Sequence, residues 1–199
     1  MQQRSEETRN HILEAGHRLF SKEGYDACGV AEICQAAGVS KGAFYHHFPS
    51  KQTVFLALMD VWMGGLETGF SLMRQQTHNV PDAMLSMAEM IGSVYQAADV
   101  RMSIILEFWT QAFRDPEIWQ AAISPYRRYQ AYFTELIREG MAEGSLAAAD
   151  PELAGRTLVA LAMGLLLQAL FDPQAADWQH EPRHCVELLL KGLSRKEQP

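Results

Sequence analysis

Apolar residues recur at the spacing of one helix face along almost the whole chain. No stretch alternates strictly between apolar and polar residues, as a half-buried strand would. The first helical segment spans roughly residues 7–22, with Ile12, Leu19 and Phe20 on its inner face, and Gly24 follows where a left-handed residue can end a helix. The pattern predicts an all-α fold.

Residues 28–51 carry two short helical patterns separated by a glycine. The first pattern places four small or apolar side chains on one face: Val30, Ile33, Cys34 and Ala37. Gly38 then ends that helix, and Ser40 supplies a hydroxyl that can cap the next one. Two helices joined by a short turn containing glycine are typical of a helix-turn-helix, which places its second helix in the major groove of DNA.

The second of these helices has two chemically distinct faces. Phe44 and Phe48 point back toward the first helix, and we expect them in the core. The outer face carries Lys41, Gly42, Tyr45 and His46. Lys41 is placed to reach a phosphate or a base edge at the start of the helix, where free amides and the positive dipole end also favour phosphate. Gly42 lacks a side chain and would allow a close approach to the groove.

The run GVSKGAFYHHFPSK, preceded by the helical segment from Thr8 to Tyr25, resembles the DNA-binding domain of TetR-family repressors. The helix pattern, the turn glycine and the FYHHFPSK signature occur in the expected order, and together they cover about a quarter of the chain. The resemblance implies a three-helix DNA-binding domain over residues 1–51. It also implies a larger helical domain over residues 52–199 that binds an effector and forms a dimer.

The resemblance also implies DNA contacts, because the family positions that match Tyr45, His46 and Lys51 contact the DNA backbone. One place departs from the family pattern: Cys28 and Gly29 stand where hydroxyl residues usually precede the first helix of the motif. Only a backbone contact is therefore expected from Gly29. The predicted DNA-binding residues are Gly29, Ser40, Lys41, Gly42, Tyr45, His46 and Lys51.

Beyond Lys51 the apolar pattern predicts further helices. Ser50 is a candidate cap for a long connecting helix, and Asp-Pro pairs mark later helix starts. The expected segments are 82–98, 100–114, 116–143, 151–171 and 181–194. Segment 151–171 is apolar almost all round, so it should be buried on more than one side.

The last two segments have two interpretations. They could form a core within one chain, whereas the resemblance implies that they pack against their copies in a homodimer. A twofold dimer is also what a helix-turn-helix protein needs to read both halves of a palindrome.

Methionine and aromatic residues are frequent in the body of the chain, and such side chains suit a cavity for an apolar ligand. Taken singly, each is more simply a core residue. Because the family plan includes an effector cavity, we expect it among Trp62, Met87, Met90, Tyr95, Phe108, Trp109, Phe113, Tyr126 and Tyr129. Pro125 falls inside a helical pattern, and a kink there would leave room beside that helix.

Charge divides unevenly along the chain. The protein has 17 Lys and Arg against 24 Asp and Glu, a formal net charge of −7. Residues 1–51 hold six of each sign, so the whole negative excess lies in residues 52–199. Because DNA affinity depends on the phosphates neutralised at the contact, an acidic body is compatible with DNA binding. Dimerisation would double the few cations at the contact.

The sequence predicts a cytoplasmic protein with no membrane partner. The N-terminus is polar, and the most apolar run, residues 158–167, is shorter than a bilayer-spanning helix. Cys28, Cys34 and Cys185 form no CxxC pair and are expected to be reduced, with Cys34 packed in the core.

An enzyme is the main alternative class, and no nucleophile elbow, phosphate loop, HExxH or paired-cysteine set occurs. His180, His184 and Cys185 have metal-like spacing, but Pro182 lies between them and a polar helix start is the simpler interpretation. We expect no catalytic residues, no metal and no cofactor. A second alternative is a helical small-molecule-binding module without specific DNA binding.

The combined interpretation is a homodimeric transcriptional regulator that binds an operator in double-stranded DNA. The sequence and the resemblance together favour a repressor that a small apolar or aromatic effector releases from a palindromic site. The effector would act by favouring one spacing of the two helix-turn-helix domains of the dimer. By linkage it would bind the free dimer more tightly than the DNA-bound dimer.

Overall fold

The computed structural model of the protein describes the backbone of residues 2–96 and 109–193, and these ranges contain helices and no strand. The labelled helices are α1 (Gln2–Glu23), α2 (Val30–Ala37), α3 (Lys41–His47), α4 (Lys51–Gln76), α5 (Val80–Gln96), α6 (Pro116–Ala142), α7 (Pro151–Phe171) and α8 (Glu181–Leu193). A helical turn covers 109–112. The all-α prediction is confirmed, while most of the expected segment 100–114 lies outside the described residues.

Local chemistry sets the helix boundaries of the N-terminal region. Gly38 ends α2 in the left-handed conformation, with φ of 67°. The Ser40 hydroxyl accepts a hydrogen bond from the Ala43 amide at 3.1 Å and caps α3. In the same way the Ser50 hydroxyl accepts from the Thr53 amide at 3.2 Å at the start of α4. These three boundaries are the ones expected from the sequence.

Two of the Asp-Pro pairs also start helices as expected. Asp115 Oδ1 accepts from the Glu117 amide at 2.8 Å before α6, and Asp150 Oδ1 accepts from the Glu152 amide at 3.0 Å before α7. Helix α6 continues through Pro125 without interruption. A kink at Pro125 stays a prediction.

The described residues separate into two compact units. The first contains the residues up to Gly65 together with 109–122, and the second contains 66–96 and 123–193. Helices α4 and α6 each contribute to both units. A domain boundary at residue 51 stays a prediction, since the first compact unit continues into α4.

The core of the first unit is built from α1, α2, α3 and the start of α4, with residues of 112–122 packed against it. Phe20, Tyr25 and Phe55 form an aromatic cluster with ring centroids 4.8–5.6 Å apart. Cys28 and Cys34 are both buried, and both are free thiols. The expectation that Cys34 packs in the core is confirmed.

The second unit has its own core, in which α5 packs closely on α8 and on the segment before it. Gly92 of α5 lies directly against the backbone of Gln179, so that a Cβ there would lie 2.8 Å from the Gln179 carbonyl carbon. Gly155 of α7 makes a similar approach to Thr134 of α6, with a Cβ placed 2.8 Å from its amide nitrogen. At both positions glycine allows two backbones to come closer than any side chain would permit.

Helix α7 keeps much of its apolar surface uncovered. It has 21 residues, it is long and apolar enough to cross a bilayer by length and composition, and 28% of its most apolar window is buried within the protein. The apolar helix is therefore longer than the apolar run of residues 158–167 in the sequence. Four large apolar side chains of α7 and α8 are exposed: Leu153, Leu167, Phe171 and Leu188. Exposed apolar surface of this extent is typical of an interaction site.

Candidate nucleic-acid interface

The α2–α3 pair is held together by side chains that point inward. Ile33 and Phe44 are fully buried, and Cys34 and Phe48 are nearly so. The Phe44 and Phe48 rings lie 6.2 Å apart, so consecutive turns of α3 fill the same core. With its inner face anchored, α3 presents its other side outward as one rigid surface.

The outward surface of α3 and its cap contains five of the seven residues that the sequence assigned to DNA. Ser40, Lys41, Gly42 and His46 are exposed, and Tyr45 is 53% exposed with its ring edge-on to Phe44. The first turn of α3 contains no acidic residue. The structure therefore brings these five predicted residues together on one solvent-facing surface.

Gly42 has no packing reason to be glycine. Among the described residues, a Cβ added there would meet only the Ser40 hydroxyl, at 3.8 Å, which is an ordinary van der Waals contact. Glycine inside a helix costs about 0.5–1 kcal/mol relative to alanine, and no buried neighbour offsets this cost. The position is therefore suited to the close approach of something outside the protein chain.

The start of α2 differs from the sequence expectation in its detail. The Gly29 amide donates to Glu32 Oε2 at 3.0 Å, so this carboxylate already occupies the amide proposed for a phosphate contact. Gly29 provides no side-chain cap, which leaves the amides of the first turn of α2 uncapped from that side. A phosphate at this helix end would approach beside Glu32.

Lys51 differs from the exposed residues of α3 because its ammonium group makes contacts within the protein. It is the first residue of α4 and is only partly exposed. Its ammonium donates to the Tyr25 carbonyl oxygen at 2.7 Å and lies 4.1 Å from the centroid of the Tyr25 ring. Tyr25 is a functional candidate that sequence reasoning missed, because the two residues are 26 positions apart.

Two family models match the chain in the order of its two helical regions. The model of bacterial regulatory proteins of the TetR family matches residues 12–58, and that of the C-terminal region of BetI-type transcriptional repressors matches residues 82–193. The chain belongs to the TetR family. It is a transcriptional regulator with a helix-turn-helix DNA-binding domain, and it is not an enzyme.

Individual relatives are similar to this chain over nearly its full length. The regulator AcrR of Shigella flexneri is 26% identical over 200 residues, which covers 95% of this chain and 90% of the relative. UidR of Escherichia coli K12 is 23% identical, covering 91% and 89%. A transcriptional regulator of Saccharomonospora viridis, solved in complex with choline, superposes with a TM-score of 0.80 at 20% identity and covers 96% of this chain and all of that one.

The residues predicted to line an effector cavity divide between the two units. Trp62, Trp109 and Phe113 belong to the first unit, and Met87, Met90, Tyr95, Tyr126 and Tyr129 belong to the second. Phe108 lies outside the described residues. Within the first unit, Trp109 packs partly on the core, while the Phe113 ring is 76% exposed between Trp109 and Trp119.

Of the five second-unit members of this set, one is buried and four are partly buried. Met87 is buried, and Met90 and Tyr129 pack against the same core. The Tyr95 hydroxyl donates to the Ala162 carbonyl of α7 at 2.7 Å. Burial raises the pKa of Tyr95, and the pKa of Tyr129 rises mainly for the same reason, so both phenols stay neutral at physiological pH.

The histidines near the start of α8 have carboxylate neighbours. His180 Nδ1 lies 2.7 Å from Asp177 Oδ2, and His184 Nδ1 lies 3.7 Å from Glu181 Oε1. Throughout residues 2–96 and 109–193, no group of three or more potential ligands is placed to hold a metal ion. The polar helix start is the interpretation that this local geometry favours.

Proposed function

We propose that the protein is a homodimeric repressor that binds a palindromic operator through α3 and is released from it by a small apolar or aromatic effector. The observation that carries the DNA-binding part is the exposed surface of Ser40, Lys41, Gly42, Tyr45 and His46 over a buried aromatic anchor. A helix of this kind suits the major groove, where cationic and hydroxyl side chains contact phosphates and base edges.

The proposed dimer uses the last two helices, α7 and α8. Their exposed Leu153, Leu167, Phe171 and Leu188 provide the apolar surface that a stable interface needs. A second copy of the same chain covers it in a symmetric way, and the twofold axis then sets two α3 helices against two half-sites. We place this dimer in the cytoplasm, where its operator is accessible.

The effector is proposed to bind in the C-terminal domain, close to the methionine and tyrosine side chains of α5 and α6. Support comes from Met87, Met90 and Tyr129, which supply an apolar and aromatic environment with one neutral hydroxyl, that of Tyr129. The choline complex of the Saccharomonospora viridis regulator is a precedent for a small-molecule ligand on this fold. A coupling of about 1–3 kcal/mol would change operator affinity about 5- to 150-fold.

The DNA-binding role is tested by replacing Lys41 with alanine. An operator is first enriched from random duplex DNA by repeated binding to the wild-type protein. Lys41→Ala is expected to lower affinity for this operator by about 5- to 150-fold, because one base-edge or phosphate contact is lost. Helix content and dimerisation should not change, since the side chain is exposed.

The matched control is Lys22→Ala, which removes an exposed lysine from the last turn of α1, outside α2 and α3. It should bind the operator like the wild type. Equal affinities for Lys41→Ala and wild type in gel-shift titrations at one salt concentration would remove Lys41 from the interface.

The effector model predicts a joint response of fluorescence and DNA release. Planar apolar compounds are expected to quench tryptophan fluorescence at micromolar levels and to release operator DNA over the same range. Comparison with Trp109→Phe separates the Trp109 signal from those of Trp62, Trp119 and Trp178. A compound that releases DNA while the response survives unchanged in Trp109→Phe shows that Trp109 does not report effector binding. If no apolar compound alters operator affinity, the effector model is wrong.

A further inference from the structure

The contact between Lys51 and Tyr25 joins two segments that flank the helix-turn-helix. Tyr25 lies in the loop between α1 and α2. Lys51 begins α4, directly after α3 and the short turn that follows it. Tyr25 itself is fixed by ring contacts with Phe20 and Phe55. The loop and the start of α4 are therefore held by the same pair of residues.

The ammonium of Lys51 has two favourable interactions at this site. It donates a charge-assisted hydrogen bond to the Tyr25 carbonyl at 2.7 Å, and it lies over the face of the Tyr25 ring at 4.1 Å. The hydrogen bond is directional and part-buried. A lysine whose role is to contact a DNA phosphate would need neither of these two interactions.

The Tyr25 carbonyl also accepts from the Cys28 amide at 3.4 Å. This bond lies one residue before Gly29, which precedes the uncapped first turn of α2. A carbonyl held by Lys51 therefore orients the loop that leads into α2. Because α3 packs on α2, the position of this loop also affects the position of α3.

We propose that Lys51 is a positioning residue for DNA binding, which acts through Tyr25 to hold the loop of residues 24–29 and the start of α2 in the DNA-competent arrangement. The inference rests on the proposed DNA-binding function. It assigns to Lys51 a different role from the phosphate contact that the family resemblance implies. Loss of the ammonium then affects operator affinity without removing a protein–phosphate ion pair.

The decisive variant is Lys51→Met, which keeps the aliphatic stem and removes both the charge and the donor. Three measurements are made: amide hydrogen exchange in the free protein, operator affinity, and the slope of log affinity against log salt. We expect faster exchange at the Cys28 amide and an operator affinity about tenfold lower or weaker still. The salt slope should stay as in the wild type, because no phosphate contact is lost.

Two further variants complete the comparison. Lys41→Met removes a proposed DNA contact from α3, so it should leave exchange at Cys28 unchanged and, if its partner is a phosphate, lower the salt slope by about one unit. Lys51→Arg retains a cation that can donate to a carbonyl and stack on a ring, and it should restore most of the operator affinity.

Two outcomes would overturn the proposal. A salt slope lowered by about one unit in Lys51→Met, with exchange at Cys28 unchanged, would make Lys51 a phosphate contact. Faster exchange with full operator affinity would make it a purely structural residue. If the wild-type protein enriches no operator at all, the proposed function fails, whereas the exchange measurement in the free protein still reports on the Lys51–Tyr25 contact.

Discussion

Gly92→Ala is expected to destabilise the protein by about 3 kcal/mol, a large effect for one added methyl group. The new Cβ would lie 2.8 Å from the Gln179 carbonyl carbon and closer still to its oxygen. Both obstacles are backbone atoms, so no side-chain rotation can relieve the overlap. Helix α5 and the segment before α8 would have to separate, which opens the core of the second unit.

The measurement is chemical denaturation followed by helical circular dichroism, with Gly65→Ala as the control. Gly65 lies in α4, and a Cβ there would meet no atom of the described residues within 4 Å. The free energy of unfolding of that variant should be higher by about 0.5–1 kcal/mol, because alanine has a higher helix propensity than glycine. Equal stability of Gly92→Ala and Gly65→Ala would show that α5 and Gln179 are not in contact in solution.

Leu188→Glu is expected to dissociate the proposed dimer and to abolish tight operator binding. Leu188 is 71% exposed on α8, so the charge is tolerated in a single folded chain. In the dimer the same carboxylate would be buried against an apolar surface without a partner. We expect dimer affinity to fall by roughly 30-fold or more, the scale of a central interface residue.

Sedimentation at micromolar concentration measures the assembly, and a gel shift on the enriched operator measures DNA binding. The control is Leu72→Glu, since Leu72 is also exposed, at 50%, but lies on α4 and outside the proposed interface. It should remain dimeric and bind the operator. If Leu188→Glu sediments as a dimer and binds normally, α8 does not form the interface.

Leu165 illustrates why such a test needs the structure. Its place in the apolar run of α7 makes it look like a good site for an interface charge. It is only 5% exposed within one protomer, so a charge there would disrupt the core of the chain before it reached any dimer. A helix that is apolar on every side does not reveal which side meets its own chain.

The exposed surface of α3 was predictable because it depends on neighbours in the chain. The left-handed Gly38, the Ser40 cap and the spacing of Phe44 and Phe48 act within one or two helical turns, and the exposed side of α3 follows from them. The family model then confirmed the kind of protein that this local pattern indicated.

The sequence by itself determined the helical class, most described helix boundaries and the chemistry of the recognition helix, because caps, glycine turns and apolar periodicity are local interactions. Only the tertiary structure decided which distant groups meet. It brought Lys51 to Tyr25, placed Gly92 against Gln179, and divided the aromatic candidates between two units. These outcomes depend on how separate helices pack, and the periodicity of a single helix leaves its partner and its close contacts undetermined.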